Sequence, residues 1–149
     1  MSDKIFKSQN GWFSLTLPID WEEYDDDETD ERTYAFFNIK EWTGNFRITP
    51  FRWTNLVHPT EDKAAKYIAK ELRKNHGATK ITLGDFDCTY YRKDFLQDGD
   101  DLVIYYWITG KRETLFICSF TIDKKHEETE QSKVEMEIVQ DIIRSIQIN

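Results

Sequence analysis

The sequence predicts an α+β fold, a curved antiparallel β-sheet flanked by two α-helices. Three observations carry that prediction. Aromatic residues make up 15% of the chain, and aromatics favour strands because they pack well on a pleated, half-buried surface. Between residues 80 and 122, apolar and β-branched runs are punctuated by the turn sequences QDGDD and TGKR. Two other stretches, 60–76 and 127–146, repeat their apolar residues at helical spacing instead. With 149 residues and no linker, repeat or low-complexity segment, residues 1–149 read as a single domain whose core needs no metal or disulfide to hold it.

In order along the chain, residues 12–17 (WFSLTL) alternate and stop at Pro18, which cannot donate to a ladder. Residues 33–40 (TYAFFNIK) and 46–53 (FRITPFRW) read as two further strands around the turn sequence EWTGN. Pro50 marks the second of them as an edge or bulged strand. The helix over 60–76 has Thr60 as N-cap, Glu61 and Asp62 in its first turn, and Ala64, Ala65, Ile68, Ala69 and Leu72 on one face. Gly77 supplies its stop. Strands follow at 80–83, 86–96, 102–109 and 113–122. A second amphipathic helix over 127–146 places Val134, Ile138, Ile142 and Ile146 four apart, with Val139 and Ile143 beside them.

Hairpin geometry turns these strands into pairings. Closing the first long hairpin at Asp98-Gly99 sets Tyr90 across from Trp107, Tyr91 across from Tyr106 and Cys88 across from Thr109. Closing the next at Gly110-Lys111 sets Tyr105 across from Phe116 and Cys118 across from Val103. Thr109 and Val103 are then separated by roughly 20 Å along the shared strand, well beyond the ~7 Å a disulfide tolerates, so Cys88 and Cys118 are expected to stay free. Both faces of this meander are apolar: Val103, Tyr105, Trp107, Phe116, Cys118 and Phe120 on one, Ile104, Tyr106, Ile108, Leu115 and Ile117 on the other. Each face needs a cover, and a helix on each satisfies that. Two helices on one face would leave an aromatic surface for a partner.

The formal charge is −8, and the tract from Glu22 to Glu31 accounts for all of it, leaving 20 acids against 20 bases elsewhere. There is no basic face to displace counterions from phosphates, so a nucleic-acid binder is not expected, and no polybasic segment to hold a membrane. The opening MSDKIFKSQN has no apolar run of signal-peptide length, and nowhere do ~18 apolar residues follow one another. Cytoplasmic residence is the expectation, and two cysteines without a Cys-x-x-Cys pattern are compatible with a reducing compartment.

FSLTLPIDWEE, from Phe13 to Glu23, and IVQDIIRSIQI, from Ile138 to Ile148, resemble the opening and closing of the PsbP-like and DcrB-like superfamily, whose members begin on a strand ending Leu-Pro-x-x-Trp and finish on a helix reading Ile-x-x-Ser-Ile. The order of elements between is also similar, and the resemblance places the chain on a bacterial branch of domains of unknown function. It implies a binding scaffold, since those members are mainly non-enzymatic: a photosystem subunit, a partner of a nuclear-transport GTPase, envelope lipoproteins, and chaperones for secreted effectors. No functional motif of any of them can be matched to residues here.

For the acidic tract three readings compete. Asp25, Asp27, Thr29 and Glu31 have the alternate-residue spacing of a calcium loop, yet Asp30 stands where the bend needs Gly and Phe36 where a bidentate Glu belongs. A basic protein surface is the second reading, with Asp25, Asp26, Asp27, Glu28, Asp30 and Glu31 as contacts. A loop kept hydrated by its own charge is the third. Among the aromatics, Trp42, Phe46, Phe51, Trp53, Tyr105 and Trp107 can line a groove for an apolar peptide or serve as packing; Trp42, Trp53 and Trp107 are the candidate contacts. The sequence HEETE at His126 lacks the second histidine of a zinc-protease motif, and there is no nucleophile elbow, phosphate loop or dinucleotide fingerprint. The expectation is therefore a non-enzymatic, cytoplasmic protein-binding module (an adaptor, a chaperone or an immunity-type protein) without cofactor or metal, whose partner is basic or carries an apolar segment. The alternative is a small-molecule or metal-binding domain with weak hydrolytic activity.

Overall fold

A computed structural model describes residues 3–24, 32–54, 58 and 61–149. Among them, β1 (Lys4–Lys7), β2 (Phe13–Leu17), β3 (Trp21–Tyr24), β4 (Tyr34–Asn38) and β5 (Gly44–Arg52) come first, then α1 (Lys63–Lys74). The strands β6 (Thr79–Leu83), β7 (Phe86–Gln97), β8 (Asp100–Lys111) and β9 (Thr114–Asp123) follow, and α2 (Glu130–Arg144) and β10 (Gln147–Ile148) close the chain. Seven strands form one sheet in the order β3-β4-β5-β9-β8-β7-β6, and β1, β2 and β10 form a small second sheet. All pairings are antiparallel. The large sheet is open, with β3 and β6 at its edges.

Each helix covers a different face. On one, α2 contributes Val139, Ile142 and Ile143, Ile146 follows just beyond its end, and β2 contributes Phe13, Leu15 and Leu17, to a core with Phe36, Phe46, Trp107, Phe116 and Phe120. Phe13 meets Phe116 edge-on with ring centroids 5.1 Å apart. On the other face α1 lays Ala64 and Ile68 against Tyr91, Ile108 and Leu115. The short β1, β3 and β10 have no sequence signal strong enough to stand out. They form because a partner strand is already in place: β1 and β10 on either side of β2, and β3 along β4.

Several boundaries depart from expectation. The α1 N-cap is Asp62, not Thr60, because the Asp62 carboxylate accepts from the Ala65 N–H at 2.8 Å and from the Arg112 N–H at 2.9 Å, tying the helix start to a sheet turn. The second helix begins at Glu130, where the Thr129 hydroxyl accepts from the Ser132 N–H, and residues 124–126 form a 3-10 turn instead. Val134 is half exposed, since the buried stripe of α2 runs through Ser132, Glu135, Val139, Ile142 and Ile143. Pro50 lies on a strand interior to the sheet and unbulged, but β4 pairs with β5 only as far as Ile48. At Pro50 that side of β5 has no ladder to donate to, so the proline breaks no bond.

The β7–β8 pairing is as expected, with Tyr90 across from Trp107 and Tyr91 across from Tyr106. The β8–β9 turn is not at Gly110-Lys111: Lys111 pairs with Thr114, Arg112 takes φ of 57°, and Cys118 lies across from Trp107, Tyr105 from Phe120. Gly110 is instead a strand residue at φ 141°, where a Cβ would collide with the Thr114 carbonyl oxygen. The slip is four residues. An even slip leaves every side chain on its predicted face, which is why the two apolar faces come out correctly despite the wrong turn.

Candidate functional site

Helix α1 lies over β7, β8 and the start of β9, so it covers its face of the sheet only in part. Beyond it the same face continues as an open groove of about 520 Å³ lined by Trp42, Asn45, Arg47, Phe95, Leu102, Ile104, Tyr106, Ser119 and Thr121 among others. The alternation of β8 presents Leu102, Ile104 and Tyr106 half-buried along the floor. Tyr106 stacks on Tyr91 at 4.9 Å, and burial pushes its hydroxyl pKa up, keeping it neutral. Phe37 links Tyr24 to Trp42 through two edge-on ring contacts of 5.3 and 6.0 Å.

Trp42 stands at one end of the groove, 65% exposed. Its loop, residues 39–43, is held firmly for something so exposed. Asn38 Oδ1 accepts from the N–H groups of Lys40 and Glu41 at 3.0 and 3.3 Å. From α2, Gln131 donates to the Glu41 carbonyl at 3.1 Å, and Thr43 donates through both hydroxyl and N–H to the buried Glu135 carboxylate. The indole N–H of Trp42 is itself bonded to Asn45 Oδ1 at 3.1 Å. An aromatic side chain that shows most of its surface while its backbone is pinned loses little entropy on meeting a partner.

The other candidate residues separate. Trp107 is 0% exposed in the core beneath α2 and has no surface to offer, so it is corrected from contact to core. Its indole N–H has no partner. Trp53 is half-buried against Tyr67 of α1, with ring centroids 6.4 Å apart, and closes the seam between helix and sheet. Phe46 and Tyr105 also belong to the α2-side core. Asp25, Asp26, Asp27, Glu28, Asp30 and Glu31 lie outside the described residues. Glu22 and Glu23 are strand residues of β3, and Glu22 pairs with Lys4 at 2.8 Å.

Two polar clusters escaped sequence reasoning because their members are distant in the chain. Arg92 donates to both Glu127 oxygens at 2.6 and 2.7 Å, and the Tyr105 hydroxyl donates to Glu127 at 2.7 Å. The hydrogen bonds from Arg92 hold the Glu127 carboxyl down at about 2. Glu135 is the reverse: burial raises its pKa, opposed by the donors Thr43 and Gln131. Among the described residues no three of His, Cys, Asp and Glu gather to hold a metal, and no histidine side chain has a hydrogen-bond partner. Burial raises both thiols, Cys118 furthest.

Fold and site together define a class: an α+β domain whose open antiparallel sheet is covered on one face and half covered on the other. The chain belongs to the domain of unknown function family DUF3805, whose family model matches residues 1–149. A crystal structure from Bacteroides thetaiotaomicron VPI-5482 is similar over all of this chain, at 31% identity and a TM-score of 0.77. The chain spans about half of that protein, 49% of its length. The Ran-binding protein Mog1p of Saccharomyces cerevisiae shares the fold at a TM-score of 0.60 and 11% identity, over 99% of this chain and 96% of that one. LpqN of Mycobacterium tuberculosis, involved in cell envelope biogenesis, does so at 0.55 and 11%, over 99% and 91%. No curated protein matches the sequence. Among the described residues no helix is long and apolar enough to cross a membrane.

Proposed function

We propose that the chain is a non-enzymatic, cytoplasmic, bacterial protein-binding module that takes an apolar segment of a basic partner into the groove beside Trp42. The observation that carries this reading is the exposure of Trp42 on a loop braced from both β4 and α2. Charge supports the choice of partner: Asp98 and Asp100 lie exposed beyond the Leu102 end and Asp123 lines the groove. Clustered acids steer basic partners toward an apolar anchor site. The likeness to a Ran-binding protein adds that this fold can present a protein-binding surface. Two free, buried cysteines support a reducing compartment, and the Bacteroides relative supports a bacterial setting. An adaptor, a chaperone for an apolar segment and an immunity-type inhibitor all use such a surface.

The test places a photo-crosslinking amino acid at Ile104, in the groove, and in a second variant at Val134, on the exposed side of α2. A partner captured from host cells through position 104 and not 134, and lost in W42A and I104D at unchanged melting temperature, carries the reading. Binding that survives both substitutions unchanged overturns it.

A further inference from the structure

On the opposite face of the sheet, the first turns of α2 stand off from β6, β7 and β8 and leave a cleft of about 450 Å³. Its walls include the rings of Tyr90 and Tyr105, the side chains of Ile81 and Ile122, and the thioether of Met136. Ser132 also lines it, yet is only 1% exposed, and its Oγ has no hydrogen-bond partner. A buried hydroxyl is nearly always satisfied, because leaving it dry and unpaired opposes folding. The Ser132 N–H is already capped by Thr129, so helix capping does not explain the side chain.

The charges around the cleft cancel. Glu127 is neutralised by the paired bonds from Arg92, and the lining residues Lys133 and Glu137, four apart on α2, bring opposite charges. An ion therefore gains nothing here, whereas ring faces and a polarisable sulfur favour an aromatic body. We propose that this cleft binds a small neutral aromatic molecule of one or two rings bearing a hydroxyl or comparable hydrogen-bonding group, and that Ser132 Oγ is the polar contact that orients it. The volume falls within the range of small-molecule sites, ~300–1,000 Å³. This site is separate from the Trp42 groove, and neither reading depends on the other.

The probe is p-cresol, with toluene as the same ring lacking the hydroxyl, each titrated into isotope-labelled full-length protein and followed by amide chemical shifts. p-Cresol should shift the amides of Tyr90, Ser132 and Met136 and bind roughly tenfold more tightly than toluene, the worth of one hydrogen bond. In S132A that preference should vanish while the free protein melts at the same temperature or higher, since the substitution removes an unsatisfied polar atom. M136W should fill the cleft and abolish both titrations while leaving binding at the Trp42 groove intact. No shifts with p-cresol, shifts centred elsewhere, or an undiminished preference in S132A would each overturn the proposal.

Discussion

The carboxylate of Glu135, fully buried on α2, accepts hydrogen bonds from both the hydroxyl and the backbone N–H of Thr43, ninety-two residues earlier in the chain. That pair joins the closing helix to the loop that displays Trp42. Glu135→Ala strips the hydroxyl and N–H of Thr43 and the amide of Gln131 of an acceptor in a part-buried setting, so it should cost about 2–3 kcal/mol in urea unfolding. It should also free Trp42, seen as a lower fluorescence anisotropy of that indole, isolated as the difference between proteins with and without the W42F substitution. A loop whose anisotropy is unchanged would show that Asn38 and Gln131 hold it without Glu135.

The two buried-side glutamates should respond to pH with opposite sign. Glu127 is held down at about 2 against an ordinary 4.5, so its contribution is complete above pH 4.5 and is lost as pH falls toward 2. Glu135 is raised by burial, so its contribution is complete below the ordinary value and is lost as pH rises through the raised one. Urea midpoints measured from pH 2 to pH 7 should therefore fall less steeply with acid in E127Q than in the wild type. In E135Q they should gain on the wild type as pH rises.

Gly110→Ala should be among the most damaging single substitutions in the sheet. Its φ of 141° and the collision of a Cβ with the Thr114 carbonyl oxygen act together, and a loss of at least ~3 kcal/mol is expected. Gly99→Ala provides the comparison: φ is 85° but nothing lies within 4 Å of the added carbon, so only the left-handed backbone cost of ~1–2 kcal/mol applies. Guanidinium unfolding of both variants checks the ranking.

Cys88 and Cys118 should remain reduced under mild oxidant and react with a thiol reagent only as the protein opens. Their strands are separated by β8, which puts the chains roughly 10 Å apart, and burial raises both thiols above their ordinary value. Intact mass after oxidation, and labelling rates that rise with urea in step with unfolding, test this. A native-state disulfide would require β8 to move aside.

What was legible in the sequence were features set by neighbours in the chain. The period of Ala64, Ile68 and Leu72 announced α1, the Asp98-Gly99 turn fixed the β7–β8 register, and alternation sorted the meander into its two faces, correctly even where the turn after β8 was misplaced. The strand opening at Phe13 and the closing segment from Ile138 to Ile148 pointed to the fold.

The site was less legible, because exposure and buried pairing are properties of the packed whole. Trp42, Trp53 and Trp107 are equivalent as letters, and only packing makes the first a displayed ring, the second a seam and the third core. Glu135 reads in the sequence as one more surface acid on a charged helix; a loop ninety-two residues away turns it into a buried acceptor. How far α1 extends over its face, and hence where the groove begins, was likewise decided by tertiary structure. Helix length follows from local spacing, but the area left uncovered is a difference between two elements that the chain brings together only on folding.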